Sequence, residues 1–199
     1  MFSIIFTILK TILKKVILYT IPIILTSILQ LLFNAADLIV VGSASEMYVA
    51  AVGATGSITN LCVNLFIGLS SGIAVVTATN IGARDYKSVY NAVHTTIPLA
   101  LISGAFLSVL GVLIAKPVLT MMGTPAEVLG YSTTYMKIYF LGMIPYMVYN
   151  FGAAILRAVG EAKKPMYFLL ISGPIKLILT FLFVSVLNFD VAGLALATT

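Results

Sequence analysis

The chain is 199 residues long, 61% hydrophobic and 9% charged, with a net charge of +5. A soluble domain carries roughly 25% charged residues, so a mean hydropathy of +1.14 excludes an ordinary soluble fold. The basic excess does not describe a nucleic-acid surface either, because the lysines and arginines fall between long apolar blocks and report orientation in a membrane.

Residues 1–15 read as a short amphipathic lead-in on the cytoplasmic membrane surface. A cleavable signal is not evident, because Lys10, Lys14 and Lys15 follow the apolar run Phe2–Leu9 instead of preceding it. Residues 16–199 read as a transmembrane helical bundle. Span one is expected at Val16–Val41, span two at Val49–Thr79 and span three at Ala92–Ala115. Span four is expected at Gly130–Leu156 and span five at Pro165–Leu187. A sixth begins at Val191 and reaches Thr199. Its nine residues rise about 14 Å as a helix, less than half of a hydrocarbon core of about 30 Å. The chain therefore reads as truncated inside its sixth helix. Backbone groups in hydrocarbon must be satisfied internally, and these blocks are too long and uniformly apolar for barrel strands. The fold class is all-α: a polytopic bundle of five full spans plus the start of a sixth.

The lead-in, the connection holding Arg84 and Lys87, and the connection holding Arg157, Lys163 and Lys164 share one side by parity. Together they carry eight of the eleven basic residues. The positive-inside rule places that side, and the N-terminus, in the cytoplasm.

Several residues within the spans carry chemistry. Asp37 sits four residues from the expected outer end of span one. A carboxylate at a helix centre costs about 2.5–3.5 kcal/mol to insert, and intramembrane acids are functional by default; nearer the interface it can reach water. Thr26, Gln30, Asn34 and Asp37 fall within about 80° of arc, a polar stripe expected to face protein or a wet cavity. Asn60 and Asn64 lie one turn apart in span two, and Asn150 lies beside Tyr146 and Tyr149 in span four. Each suits an interhelical hydrogen bond, worth about 0.6 kcal/mol, and together they could line a cavity. Lys176 lies eleven residues into span five, too deep to snorkel comfortably. The carboxylate available to it is Asp37, so a Lys176–Asp37 pair is expected. Pro22 and Pro145 lie inside their spans as hinge candidates, although transmembrane proline is also simply tolerated. Gly68 and Gly72 form a GxxxG that allows close helix contact. Cys62 reads as a packing residue and no metal-ligand cluster is present. Without a Walker sequence, a nucleophile elbow or a selectivity-filter segment, an ATP-driven pump, a membrane enzyme and a simple channel are disfavoured.

The run IPIILTSILQLLFNAADLIVVG resembles the first helix of multidrug and toxic compound extrusion (MATE) transporters. So do AAVGATGSITNLCVNLFIGLSSGIAVVTATNIGARDYK, YNFGAAILRAVGEAKKPM and VAGLALAT in their own places, four motifs in order from about residue 16 to 199. The resemblance implies a twelve-helix antiporter of two six-helix halves, of which this chain is the first. It implies export of amphipathic, often cationic, small molecules in exchange for protons or sodium, with no cofactor. The first-helix coupling acid carries over to Asp37 and the bending first-helix proline to Pro22. Arg157 and Gly160 fall in the cytoplasmic loop motif and read as structural. One departure stands out. The family's fifth-helix Asn, and the Asn or Asp one turn later, correspond to Lys176 and Thr180, and an ammonium near Asp37 would oppose sodium binding at short range.

The expected protein is a drug-type antiporter of a bacterial plasma membrane with Asp37 as its ion-coupling group. Gln30, Asn34, Asn60, Asn64, Asn150, Lys176 and Thr180 line its pocket, and methionines and aromatics give adaptable apolar contact. A missing C-terminal half or a second chain is expected to complete it. The rivals are a non-transporting truncated fragment or partner subunit, and a lipid-linked oligosaccharide flippase of related architecture.

Overall fold

Hydrocarbon offers no partner for a backbone N–H or C=O, so apolar blocks of this length close their hydrogen bonds within themselves as helices. The computed structural model describes residues 2–198. The chain runs α1 (Phe2–Ala44), α2 (Glu46–Gly82), α3 (Tyr86–Met121), α4 (Ala126–Leu141), α5 (Met143–Ala158), α6 (Lys163–Phe181) and α7 (Asp190–Thr198). A π-helical turn, Leu182–Val186, extends α6. Met1 and Thr199, the ends of the expected lead-in and sixth span, lie outside the described residues.

Four segments are long and apolar enough to cross a membrane: Lys10–Ala44, Glu46–Gly82, Tyr86–Met121 and Lys163–Val186. A fifth span forms if α4 and α5 count together, bent by 51° at their junction. The protein is thus a multi-pass helical bundle of four spans, or five with the bent pair counted as one, and several boundaries move. The lead-in is continuous with span one in a single helix. Span two begins at Glu46 without fraying, because the Ser45 hydroxyl caps it by accepting from the Met47 N–H at 3.2 Å. Span four is broken: α4 ends at Leu141, and Gly142 is shared between the two helix ends. Pro145 therefore sits in the first turn of α5, where a missing N–H costs no helical bond, and not in the middle of a continuous helix. Pro22 is buried inside α1, as expected.

The turn before α3 is fixed by Asp85. Its Oδ1 accepts from the Ser88 N–H at 3.1 Å and its Oδ2 from the Ser88 hydroxyl at 2.6 Å. The Ser88 hydroxyl bond, and then the backbone bond, hold this exposed carboxyl below its ordinary range. The cap is therefore in place at neutral pH and is lost only as pH falls through that lowered value.

Two apolar cores organise the bundle. The larger joins Val63 of α2, Ala100, Leu107 and Leu119 of α3, Phe140 of α4, and Met147 and Phe151 of α5. Met136, Met143 and Met147 are 0–1% exposed in it, which corrects the expectation that methionines supply adaptable substrate contact: these three are sealed packing residues. The smaller core joins Val41 of α1, Ala51 of α2, Tyr135 of α4, Val184 of the π-turn, and Val191, Leu194 and Ala195 of α7. Small residues set the helix approach, but not the expected ones. Gly68 and Gly72 have open space where a side chain would go. Gly111 of α3 instead receives the Phe140 ring and Gly173 of α6 the Phe33 ring.

Gly104 is the tightest backbone-to-backbone approach, since a Cβ there would lie 2.6 Å from the Ile144 Cα of α5. Backbone cannot rotate away as a ring can. Gly104→Ala is expected to destabilise the bundle by about 1–3 kcal/mol, read as a lowered thermal midpoint in detergent micelles. An unchanged midpoint would show that α3 and α5 can separate freely.

A buried ion pair as the candidate functional site

The site is built from two helices packed against each other, α1 and α6. Asp37 lies seven residues before the end of α1, about 10 Å along the axis. Because α1 continues to Ala44, Asp37 is deeper than the sequence implied. Its residue is 5% exposed. Lys176 lies thirteen residues into α6, about 20 Å from its start. The two meet: Lys176 Nζ is 2.6 Å from Asp37 Oδ2, with side chains 20% and 8% exposed. Thr180, fully buried, donates its hydroxyl to Asp37 Oδ1 at 3.2 Å. Lys176 and Thr180 are four apart and so share one face of α6. A single helix face thus occupies both carboxylate oxygens. From α4, Tyr135 is the titratable neighbour close enough to interact with the Asp37 charge.

The pair answers a membrane-specific problem. Either charge alone at this depth is expensive, whereas a hydrogen-bonded pair with a third donor is tolerable. Burial of the pair is weak evidence for stability as such.

The other expected pocket residues are not gathered around Asp37. Gln30 and Asn34 are exposed, so the polar stripe of α1 is not one sheltered face: Asp37 is buried, Thr26 is half-buried and bonded to the Pro22 carbonyl at 2.7 Å, and the middle two face outward. Asn60 and Asn64 are exposed along α2. Asn150 is half-buried and donates to the Tyr146 carbonyl of its own helix at 2.8 Å. Two cavities of about 430 and 400 Å3 exist, one between α2 and α3 and one beside Tyr19 and Arg157; neither is lined by Asp37 or Lys176.

Three features escaped the sequence reading. Tyr19 donates to the Arg157 carbonyl at 2.6 Å, tying α1 to the end of α5. Tyr48 donates to Asp190, tying the start of α2 to the start of α7. Lys137 projects from α4, exposed, within the fourth span. Only Lys137 had a signal available, as a lone charge inside an apolar block. The tyrosine ties join residues 138 and 142 positions apart.

The chain is thus a polytopic helical bundle that holds a carboxylate–ammonium pair between two of its helices. Residues 22–182 match the MatE family, and the chain belongs to that family. It is 27% identical over 190 residues to the probable multidrug resistance protein YpnP of Bacillus subtilis, covering 94% of this chain and 42% of that protein. It also resembles a multidrug resistance MATE family transporter of the MOP superfamily, solved in two conformations. The outward-facing structure gives a TM-score of 0.87 at 28% identity, over 93% of this chain and 41% of that one. The inward-facing structure gives 0.79 at 28% identity, over 85% and 38%. The chain spans about two fifths of the length of the relatives it matches.

Thr180 provides a direct test of the site. Thr180→Val keeps the shape and removes the donor to a buried charge, and is expected to cost about 1.5–3 kcal/mol, measured by thermal unfolding in micelles. A change within error would mean that Asp37 Oδ1 has another donor.

Proposed function

We propose that this chain forms one half of a secondary transporter that exports amphipathic small molecules by alternating access in exchange for a proton or sodium, with Asp37 as the coupling carboxylate. The observation that carries the reading is the Asp37–Lys176 contact of 2.6 Å, deep between α1 and α6. A buried carboxylate held by reversible partners can change charge, and that change alters what holds two spans together. Membership of the MatE family, and the multidrug resistance role printed for YpnP, support transport of drug-like compounds.

The lysine-rich connections on one side place the N-terminus in the cytoplasm of a bacterial plasma membrane in this reading. The exposed Gln30, Asn34, Asn60 and Asn64 then face a central cavity completed by a C-terminal half or a second chain. The flippase alternative leans on a basic lining for lipid phosphate, and Lys176 is already committed to Asp37.

Two experiments test this. In everted membrane vesicles from cells expressing the native gene product, Asp37→Asn is expected to reduce gradient-driven dye transport by at least about 10-fold, the equivalent of ~1.4 kcal/mol of coupling. Transport equal to wild type would remove Asp37 from the mechanism. In a Cys62→Ser background, an impermeant maleimide added to whole cells is expected to label Ser43→Cys and not Lys87→Cys. The reverse pattern would invert the topology.

A further inference from the structure

We propose that Lys176 is a cation filter: its ammonium holds the seat on Asp37 that any mobile cation would need, so the site accepts a proton but neither sodium nor a permanently charged organic cation. The inference rests on Asp37 being the coupling carboxylate, and it names the ion and the substrate class of that same site.

The geometry makes the argument. Asp37 has two oxygens, and both are engaged, Oδ2 by Lys176 and Oδ1 by Thr180. A hard metal cation needs a shell of several oxygen ligands. The remaining titratable group facing the carboxylate is Tyr135 of α4, while Asp190 at the start of α7 is engaged by Tyr48. A cation seated on Asp37 would also sit within a few ångströms of the Lys176 ammonium, and like charges that close repel strongly in a partly buried site.

A proton escapes the first of these objections. It bonds to one carboxylate oxygen and needs no ligand shell. The ammonium it displaces keeps its charge and is already one-fifth exposed, so it can turn to water.

The same numbers set the face that a solute meets. Lys176 is 20% exposed and Asp37 8%, so an approaching molecule encounters the ammonium first. The empty site repels a quaternary ammonium or phosphonium and admits uncharged amphiphiles. The substrates of this carrier are accordingly amphipathic compounds without a permanent positive charge.

The test uses the native gene product, purified and reconstituted in liposomes. Binding of Na+ and of tetraphenylphosphonium is measured by isothermal titration calorimetry. Transport of an uncharged fluorescent amphiphile is followed under an imposed pH or Na+ gradient. Wild type is expected to respond to the pH gradient, to ignore Na+, and to bind neither cation at Asp37. Lys176→Asn, with the ammonium removed and an amide left in its place, is expected to bind one or both cations about 10- to 100-fold more tightly. Lys176→Arg is expected to exclude them as wild type does. Asp37-dependent Na+ binding by the wild-type protein would overturn the filter, and that measurement does not depend on any variant folding. So would a monodisperse Lys176→Asn protein with no gain for either cation. If Asp37→Asn loses pH-driven transport while Lys176→Asn gains nothing, the filter fails and the coupling role stands. Normal transport by Asp37→Asn removes both.

Discussion

A carboxylate and an ammonium can share a membrane interior when they meet, and the meeting of Asp37 with Lys176 decides how α1 lies on α6. The rest of the arrangement around it follows from that constraint. Thr180 is one turn further along α6 and takes the second oxygen. Phe33, one turn before Asp37 on α1, fits its ring against Gly173, three residues before Lys176. The polar contact and the ring-on-glycine contact lie on the same seam between the two helices. An apolar seam alone would allow α1 to slide or rotate, because lipid tails compete equally well for apolar surface. The ion pair supplies the register.

The remainder of the bundle is held differently. α3 is surrounded by α2, α4 and α5 through a core of Leu107, Leu119, Met136, Phe140 and Phe151, with Gly104 and Gly111 allowing the close approach. The core of this part is made of sealed apolar side chains. Along α1 the buried residues described are Pro22, Asp37 and Val41. The structure therefore pairs a well-packed block with one long, lightly buried helix. Regions with few buried contacts open at lower free energy than packed ones.

Much of this was legible in the sequence, and the pair itself was. An acid and a base each too deep for water, in a chain with few intramembrane charges, imply each other before any coordinates exist. Hydropathy likewise located the five blocks. What it could not locate was orientation about each helix axis. Gln30, Asn34 and Asp37 fall on one arc, yet only Asp37 turns into the bundle, because the arc is wider than the seam with α6. Gly68–Gly72 matches a contact motif and has no contact, while Gly104, Gly111 and Gly173 match none and carry the approaches. A glycine's role is set by the residue opposite, which lies in another helix. The break at Gly142 was hidden because apolar residues run through it on both sides, and composition alone cannot tell a bent span from a straight one. The tyrosine ties were hidden for the same reason as the glycine contacts: their partners are remote in sequence.

The exposed polar residues bear on how the lightly held helix is used. Gln30 and Asn34 on α1, Asn60 and Asn64 on α2, and Lys137 on α4 face outward at membrane depth. Hydrocarbon cannot satisfy them, so in a membrane they face water or protein. Under the proposed coupling, that face borders the cavity through which a solute moves, and α1 forms part of its wall. Under that proposal, protonating Asp37 removes the charge that fixes α1 on α6, leaving the Phe33–Gly173 contact on the seam and the Tyr19 bond to the Arg157 carbonyl nearer the start of α1. Pro22, buried three residues beyond Tyr19, already lacks one helical bond. The segment above it can then shift while the segment below stays tied. In the proposed mechanism a proton arriving at this carboxylate acts on the least buried of the long helices, which is the physical link between ion binding and access that a carrier requires.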